Sequence, residues 1–129
     1  MKNVLLAAVF LLAPGFCMAD NHNEAIVEMW KCEMKEGQKM EDVMANNEKW
    51  LAMTRKTTGS DEVQSYMMSP VVGTLSQFVF ADAYPDMATW SKVKAAEETE
   101  EGEAIEAAFD ALMDCTDNRL FKSKKTVLE

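Results

Sequence analysis

Two cysteines and a handful of polar side chains carry the chemistry available to this chain. Cys32 and Cys115 are too far apart in sequence for a Cys-x-x-Cys redox pair, so the spacing favours a structural bridge over a redox-active dithiol. Glu28, Trp30, Asn47, Tyr66 and Asp82 are polar or amphipathic residues at strand or helix positions that are otherwise apolar. Side chains of that kind inside a cavity could orient a small ligand or exchange a proton with it. Each also has a plainer reading. Glu28 and Asp82 could face solvent at a strand edge or cap a helix, and Trp30 and Trp50 could be core or dimer-interface residues.

Other chemistries are poorly provided for. The single histidine, His22, stands ahead of the first predicted strand, and no Ser-His-Asp set, phosphate loop or dinucleotide fingerprint is present. With so little His and no free Cys, a zinc site is not expected. Soft thioethers favour Cu(I), which makes methionine-based copper handling a reading to weigh for so Met-rich a chain. Against it, Met29, Met40, Met44 and Met113 fall on predicted apolar faces, and no Met-x-Met or His-Met cluster occurs beside the Met67, Met68 pair. No metal and no cofactor is therefore expected.

The compartment bears on the cysteines. Residues 1–19, MKNVLLAAVFLLAPGFCMA, have a basic start at Lys2, an apolar run from Val4 to Leu12 and a break at Pro14 and Gly15. This is the layout of a secretory signal peptide, too short in its apolar part to span a bilayer as a helix. Cleavage after Ala19 is expected. A lipid-modified Cys17 is the alternative, disfavoured by the bulky Phe16 before it. Cleavage leaves residues 20–129 as one domain of 110 residues and carries Lys2 away, moving the net charge from −9 to −10. Periplasmic or secreted localisation follows, with no stable membrane association after cleavage. So acidic a surface excludes nucleic acid as a natural partner. The run Glu97, Glu98, Glu100, Glu101 and Glu103 reads as a solvated face. Cleavage also removes Cys17, and in an oxidising compartment the two remaining cysteines have one possible pairing, Cys32 with Cys115.

The elements that must position these residues follow from periodicity. Residues 24–34 alternate as a strand, with Ile26, Glu28, Trp30, Cys32 and Met34 on one side. Met40, Val43, Met44, Asn47, Trp50 and Leu51 recur at helical spacing up to Gly59. Residues 63–68 and 75–84 read as a strand pair separated by Pro70 and Gly73. Pro85 and Asp86 open a helix with Asp86 as N-cap, bearing Met87, Trp90 and Val93 on one face, and Gly102 interrupts it or divides it from a second helix over Ile105, Ala108, Phe109, Leu112 and Met113. Residues 118–128 suit an edge strand guarded by lysines. The order β-α-β-β-α-α-β suits an α+β, ferredoxin-like antiparallel sheet with helices on one face. In the usual order for that plan the last strand lies antiparallel beside the first, which would bring Cys32 and Cys115 to one sheet edge.

In this order of elements, and in the stretch FVFADAYPDMATW, where a strand ends in an acid and an aromatic and leads into an aromatic-bearing helix, the chain resembles the dimeric α+β barrel superfamily. Antibiotic-biosynthesis-type monooxygenases and NIPSNAP-like proteins belong to it. The resemblance implies a homodimer whose protomers press their open sheet faces together around a cavity, which would hold a small apolar ligand or support cofactor-independent monooxygenase or isomerase chemistry. Haem-degrading relatives use Asn, Trp and His together, and His22 lies too far out for an axial ligand.

Overall fold

The computed structural model describes residues 23–126 and 128; the expected signal peptide, His22 and Val127 lie outside them. Seven elements follow in order: β1 (Glu24–Met34), α1 (Met40–Thr58), β2 (Gln64–Met68), β3 (Gln77–Tyr84), α2 (Met87–Glu97), α3 (Glu100–Leu112) and β4 (Met113–Lys124). The sheet order is β2-β3-β1-β4, with every pair antiparallel, so the chain has the ferredoxin-like α+β fold with its last strand beside its first.

Period-two alternation places Ile26, Glu28, Trp30 and Cys32 of β1 on the same face as Tyr84, Asp82, Phe80 and Phe78, their register partners on β3. The helices cover this face. Cys32, Val43, Trp50, Met53, Val63, Phe78, Phe80, Tyr84, Val93 and Phe109 form the core between the layers. Phe80 makes edge-to-face contacts with Phe78 and Phe109, at centroid distances of 5.6 and 5.8 Å. Asn46, buried on α1, donates from Nδ2 to the Ile105 carbonyl at 2.9 Å and ties α1 to α3. Met44, expected on the apolar face of α1, is instead exposed, since the buried stripe runs through Val43, Asn46, Trp50, Met53 and Thr54.

Local signals explain most of the ends. α1 has Glu41 and Asp42 in its first turn and Arg55 and Lys56 in its last, as the helix dipole favours, and it closes on Gly59 in the left-handed conformation. Asp86 caps α2, its Oδ1 accepting from the Thr89 amide at 2.7 Å. The break between α2 and α3 falls at Glu98 and Thr99. The Thr99 hydroxyl donates to the Ala96 carbonyl at 2.6 Å and accepts from the Gly102 amide at 3.3 Å.

Gly102 is needed for the packing of that corner. A Cβ there would collide with the Ala96 carbonyl and stand 2.5 Å from the Glu97 Cα and carbonyl oxygen. Gly102→Ala is therefore expected to destabilise the protein by about 2 kcal/mol, despite alanine's better helix propensity, because the obstructing atoms are backbone. Urea unfolding of the variant, read by circular dichroism, checks this.

β4 begins at Met113, five residues earlier than its hydrophobic pattern predicts, and Cys115 lies inside the strand. The polar run 114–118 carries little strand signal of its own; pairing with β1 imposes the extended conformation. Opposite Lys31 and Cys32 the register shifts by one residue, leaving Thr116 as the extra residue of a β-bulge. Cys32 and Cys115 are direct cross-strand neighbours and form a disulfide.

Candidate functional site

The sheet and the helices do not close completely. Between them lies a cavity of about 330 Å³ bordered by Trp30, Phe80 and Asp82 from the sheet, Asn47 and Trp50 from α1, Lys94 and Glu97 from α2, Glu106, Phe109 and Asp110 from α3, and Met113 and Cys115 from the start of β4. It lies on the helix-covered face, within one protomer. It is a different place from the expected cavity between the open sheet faces of two protomers, and in it Ser65 links Asp82 on β3 to Asn47 on α1.

Asp82 is buried at 7% exposure on the central strand β3. Its Oδ1 accepts a 2.5 Å hydrogen bond from the Ser65 hydroxyl, which also accepts from Asn47 Nδ2 at 3.0 Å. Burial drives the Asp82 carboxyl up to about 7; Ser65 and Lys94 offset part of this effect, and Glu28 and Glu97 add to it. A carboxyl in that range can hold or release a proton near neutral pH. Beside it, the same burial, with Asp82, Glu28 and Glu97, pushes the Tyr84 hydroxyl well above its ordinary value.

Glu28, directly opposite Asp82 in register, is also buried but is fully engaged. Lys94 approaches its Oε2 at 2.8 Å, Trp90 Nε1 donates to the same oxygen at 3.1 Å, and Asn118 Nδ2 donates to Oε1 at 3.0 Å. Lys94 also reaches Glu97 at 2.9 Å and sits 5.8 Å from the centroid of the Trp30 ring. Burial works against the Lys94 charge, yet Glu28 and Glu97 outweigh it and hold its pKa above the ordinary lysine value. Glu97 further accepts from Trp50 Nε1 at 3.0 Å. It is therefore not part of a solvated acidic face. The other glutamates of that run remain exposed, while Glu97 turns inward.

Of the five residues singled out by sequence, Trp30, Asn47 and Asp82 border the cavity, and Glu28 stands behind it through Lys94. Tyr66 does not join them. It is 56% exposed on the opposite sheet face, paired with Ala81, and the inward position of β2 belongs to Ser65. Sequence reasoning passed over Ser65, Lys94, Glu97, Glu106 and Asp110. The signal for Ser65 was parity, since it shares the Met67 face of β2; for Lys94, it was the turn it completes with Trp90 and Glu97 along α2. Met67 and Met68 point to opposite faces, with Met68 exposed. Among the described residues no group of three or more His, Cys, Asp or Glu is placed to hold a metal ion, and no helix is long and apolar enough to cross a membrane.

No protein-family model matches the chain, and no curated protein matches it in sequence. Solved structures do match in fold. The chain is similar to SnoaB, a cofactor-independent oxygenase from Streptomyces nogalater, with a TM-score of 0.61 at 10% identity over 82% of this chain and 99% of that one. It is similar to a NIPSNAP family protein of unknown function from Agrobacterium tumefaciens, with a TM-score of 0.60 at 13% identity over 82% and 94% of the two chains. A NIPSNAP-like domain protein from Burkholderia xenovorans matches with a TM-score of 0.55 at 14% identity, over 84% and 90%. The fold is thus the ferredoxin-like α+β plan, shared with SnoaB and the NIPSNAP-type structures.

Proposed function

We propose that this chain is an exported homodimeric protein that binds a small, largely apolar ligand in the cavity between its sheet and its helices. One observation carries the reading: a pocket walled by Trp30, Trp50, Phe80, Phe109 and Met113 holds a single buried carboxyl, Asp82, on its floor. Apolar walls with a few placed polar groups are the ordinary makeup of a small-molecule site, and about 330 Å³ lies within the usual range. Export is supported by the layout of residues 1–19 and by the disulfide. Dimerisation is supported by the open sheet face, where Tyr66, Met68 and Phe121 are exposed.

Trp30 and Trp50 both border the cavity, so an occupant is expected to change the intrinsic fluorescence. Titration with a graded set of small aromatic compounds is expected to give saturable quenching. Native mass spectrometry of the freshly purified protein then shows whether an organic molecule co-purifies. Absence of saturable quenching across the set, with the fold intact, would overturn the reading.

A second reading has a specific basis in Asp82. A carboxyl titrating near 7 beside aromatic walls suits a base that removes a proton from a carbon acid or phenol, the step common to an isomerase and to a cofactor-independent oxygenase. The likeness of fold to SnoaB is compatible with it.

A further inference from the structure

We propose that the Cys32–Cys115 cystine is a redox gate on the cavity: while it is intact the pocket holds its ligand, and its reduction loosens the β4 wall and lets the ligand go. The inference rests on the cavity being a ligand site and adds to it a means of control. Met113 and Cys115, at the start of β4, border the cavity, and Cys115 is joined there to Cys32 in the core. The covalent bond is thus part of the pocket's border and not a staple remote from it.

The two halves of the bridge differ in access. Cys32 is 1% exposed, whereas Cys115 lies on a strand whose residues after Met113 are all exposed. A dithiol from solution can therefore approach the bond from the Cys115 side. Its thiolate attacks Cys115 Sγ, the S–S bond breaks, and Cys32 leaves and takes up a proton. The second thiol of the reductant then displaces Cys115. Two electrons and two protons pass to the protein, which gains two thiols while the dithiol becomes a disulfide.

Other fastenings of this stretch are few. β4 stands at the edge of the sheet and pairs only with β1 among the described residues. The ladder is regular over Met113, Asp114 and Cys115 and is then interrupted by the bulge at Thr116. Apart from the bridge, the stretch is held by the burial of Met113, by the Lys35 amide donating to the Leu112 carbonyl at 3.0 Å, and by a Lys35–Asp114 ion pair at 3.3 Å. That pair is 39% and 70% exposed, and such pairs contribute little in water. The rest of β4 has ties of its own, Asn118 to Glu28 and Lys122 to Glu24 at 2.7 Å. Loss of the bridge is therefore felt first at Met113 to Cys115, beside the cavity, while the sheet order persists.

The test titrates N-phenyl-1-naphthylamine, an uncharged aromatic that fluoresces in apolar surroundings, into the oxidised protein and into protein held reduced by dithiothreitol, with far-UV circular dichroism recorded on both. The reduced form is expected to keep its fold and to bind about fivefold or more weaker, within the usual range for coupled sites. By reciprocity, saturating probe should make the bridge harder to reduce by the same factor in a dithiothreitol redox buffer. The Cys32→Ala/Cys115→Ala variant should copy the reduced form without any reductant present. Equal affinities in the two forms, with the fold retained, overturn the gate and leave the pocket reading standing. Collapse of the dichroism on reduction also overturns the gate, since the bridge is then a staple for the whole fold. Failure of the oxidised protein to bind the probe overturns both readings.

Discussion

The Cys32→Ala/Cys115→Ala double variant is expected to lose about 4 to 5 kcal/mol of folding free energy relative to the oxidised protein. The bridge joins residues 83 apart in sequence, so it closes a loop spanning most of the described chain. In the chain-entropy treatment a loop of that length restricts the unfolded ensemble by about this amount. A domain of this size commonly has only about 5 to 15 kcal/mol in total, so the loss is a large share. Structure adds to the effect, since the disulfide fastens an edge strand, β4, to β1 at the point where their register shifts. Guanidinium unfolding of the oxidised protein, the reduced protein and the double variant checks it. The two thiol-free or reduced forms should coincide, and a loss below about 1 kcal/mol would mean that β1 and β4 hold their pairing without help.

Asp82→Asn is expected to act in the opposite direction and in a pH-dependent way. In the folded protein the Asp82 carboxyl stays protonated up to about 7, whereas its ordinary value is 3.8. Between those two values the folded state binds a proton that the unfolded chain does not, so this residue's contribution makes stability fall as pH rises from about 4 to 7 and adds no slope above that. The full interval corresponds to about 4 kcal/mol, and the buried amide of the variant offsets part of the gain. At pH 4 the variant and the parent should unfold together; at pH 8 the variant should be more stable by about 2 to 4 kcal/mol. Urea titrations at several pH values measure the difference directly. If the gap between the two is flat across pH 4 to 8, Asp82 is not a buried acid in the folded protein.

The two variants also show which levels of organisation the sequence exposes. Element order, the Asp86 cap and the Gly59 stop are local, and they are legible because periodicity and capping residues need only neighbouring positions. The pairing of Cys32 with Cys115 was legible for a different reason, since strand order and the cysteine positions pointed to the same sheet edge. The site was read only in part. Trp30, Asn47 and Asp82 stood out as polar or amphipathic residues on apolar stripes, but one residue of phase separates Tyr66 from Ser65, and composition does not resolve phase. Glu97 was hidden in a run of like residues, where only the packing of α2 against Trp50 decides which glutamate turns inward. Lys94 was invisible for the complementary reason: a half-buried lysine makes sense only beside Glu28, 66 positions earlier, and no sequence rule connects them. The early start of β4 belongs with these, a case of tertiary pairing overriding weak local preference.

The surplus residue Thr116 has a bearing on how this architecture can vary. Cys115 and Asn118 are an odd number of positions apart, and in an uninterrupted strand their side chains would project to opposite sides. With Thr116 taken up by the bulge, both project beneath the helices, one to the covalent tie and the other to Glu28. A one-residue insertion or deletion normally turns a strand inside out. Here such an event is already built in and accommodated, and it decouples the two halves of β4: the half bearing the cystine and the half bearing the Glu28 contact can each diverge without dragging the other out of phase.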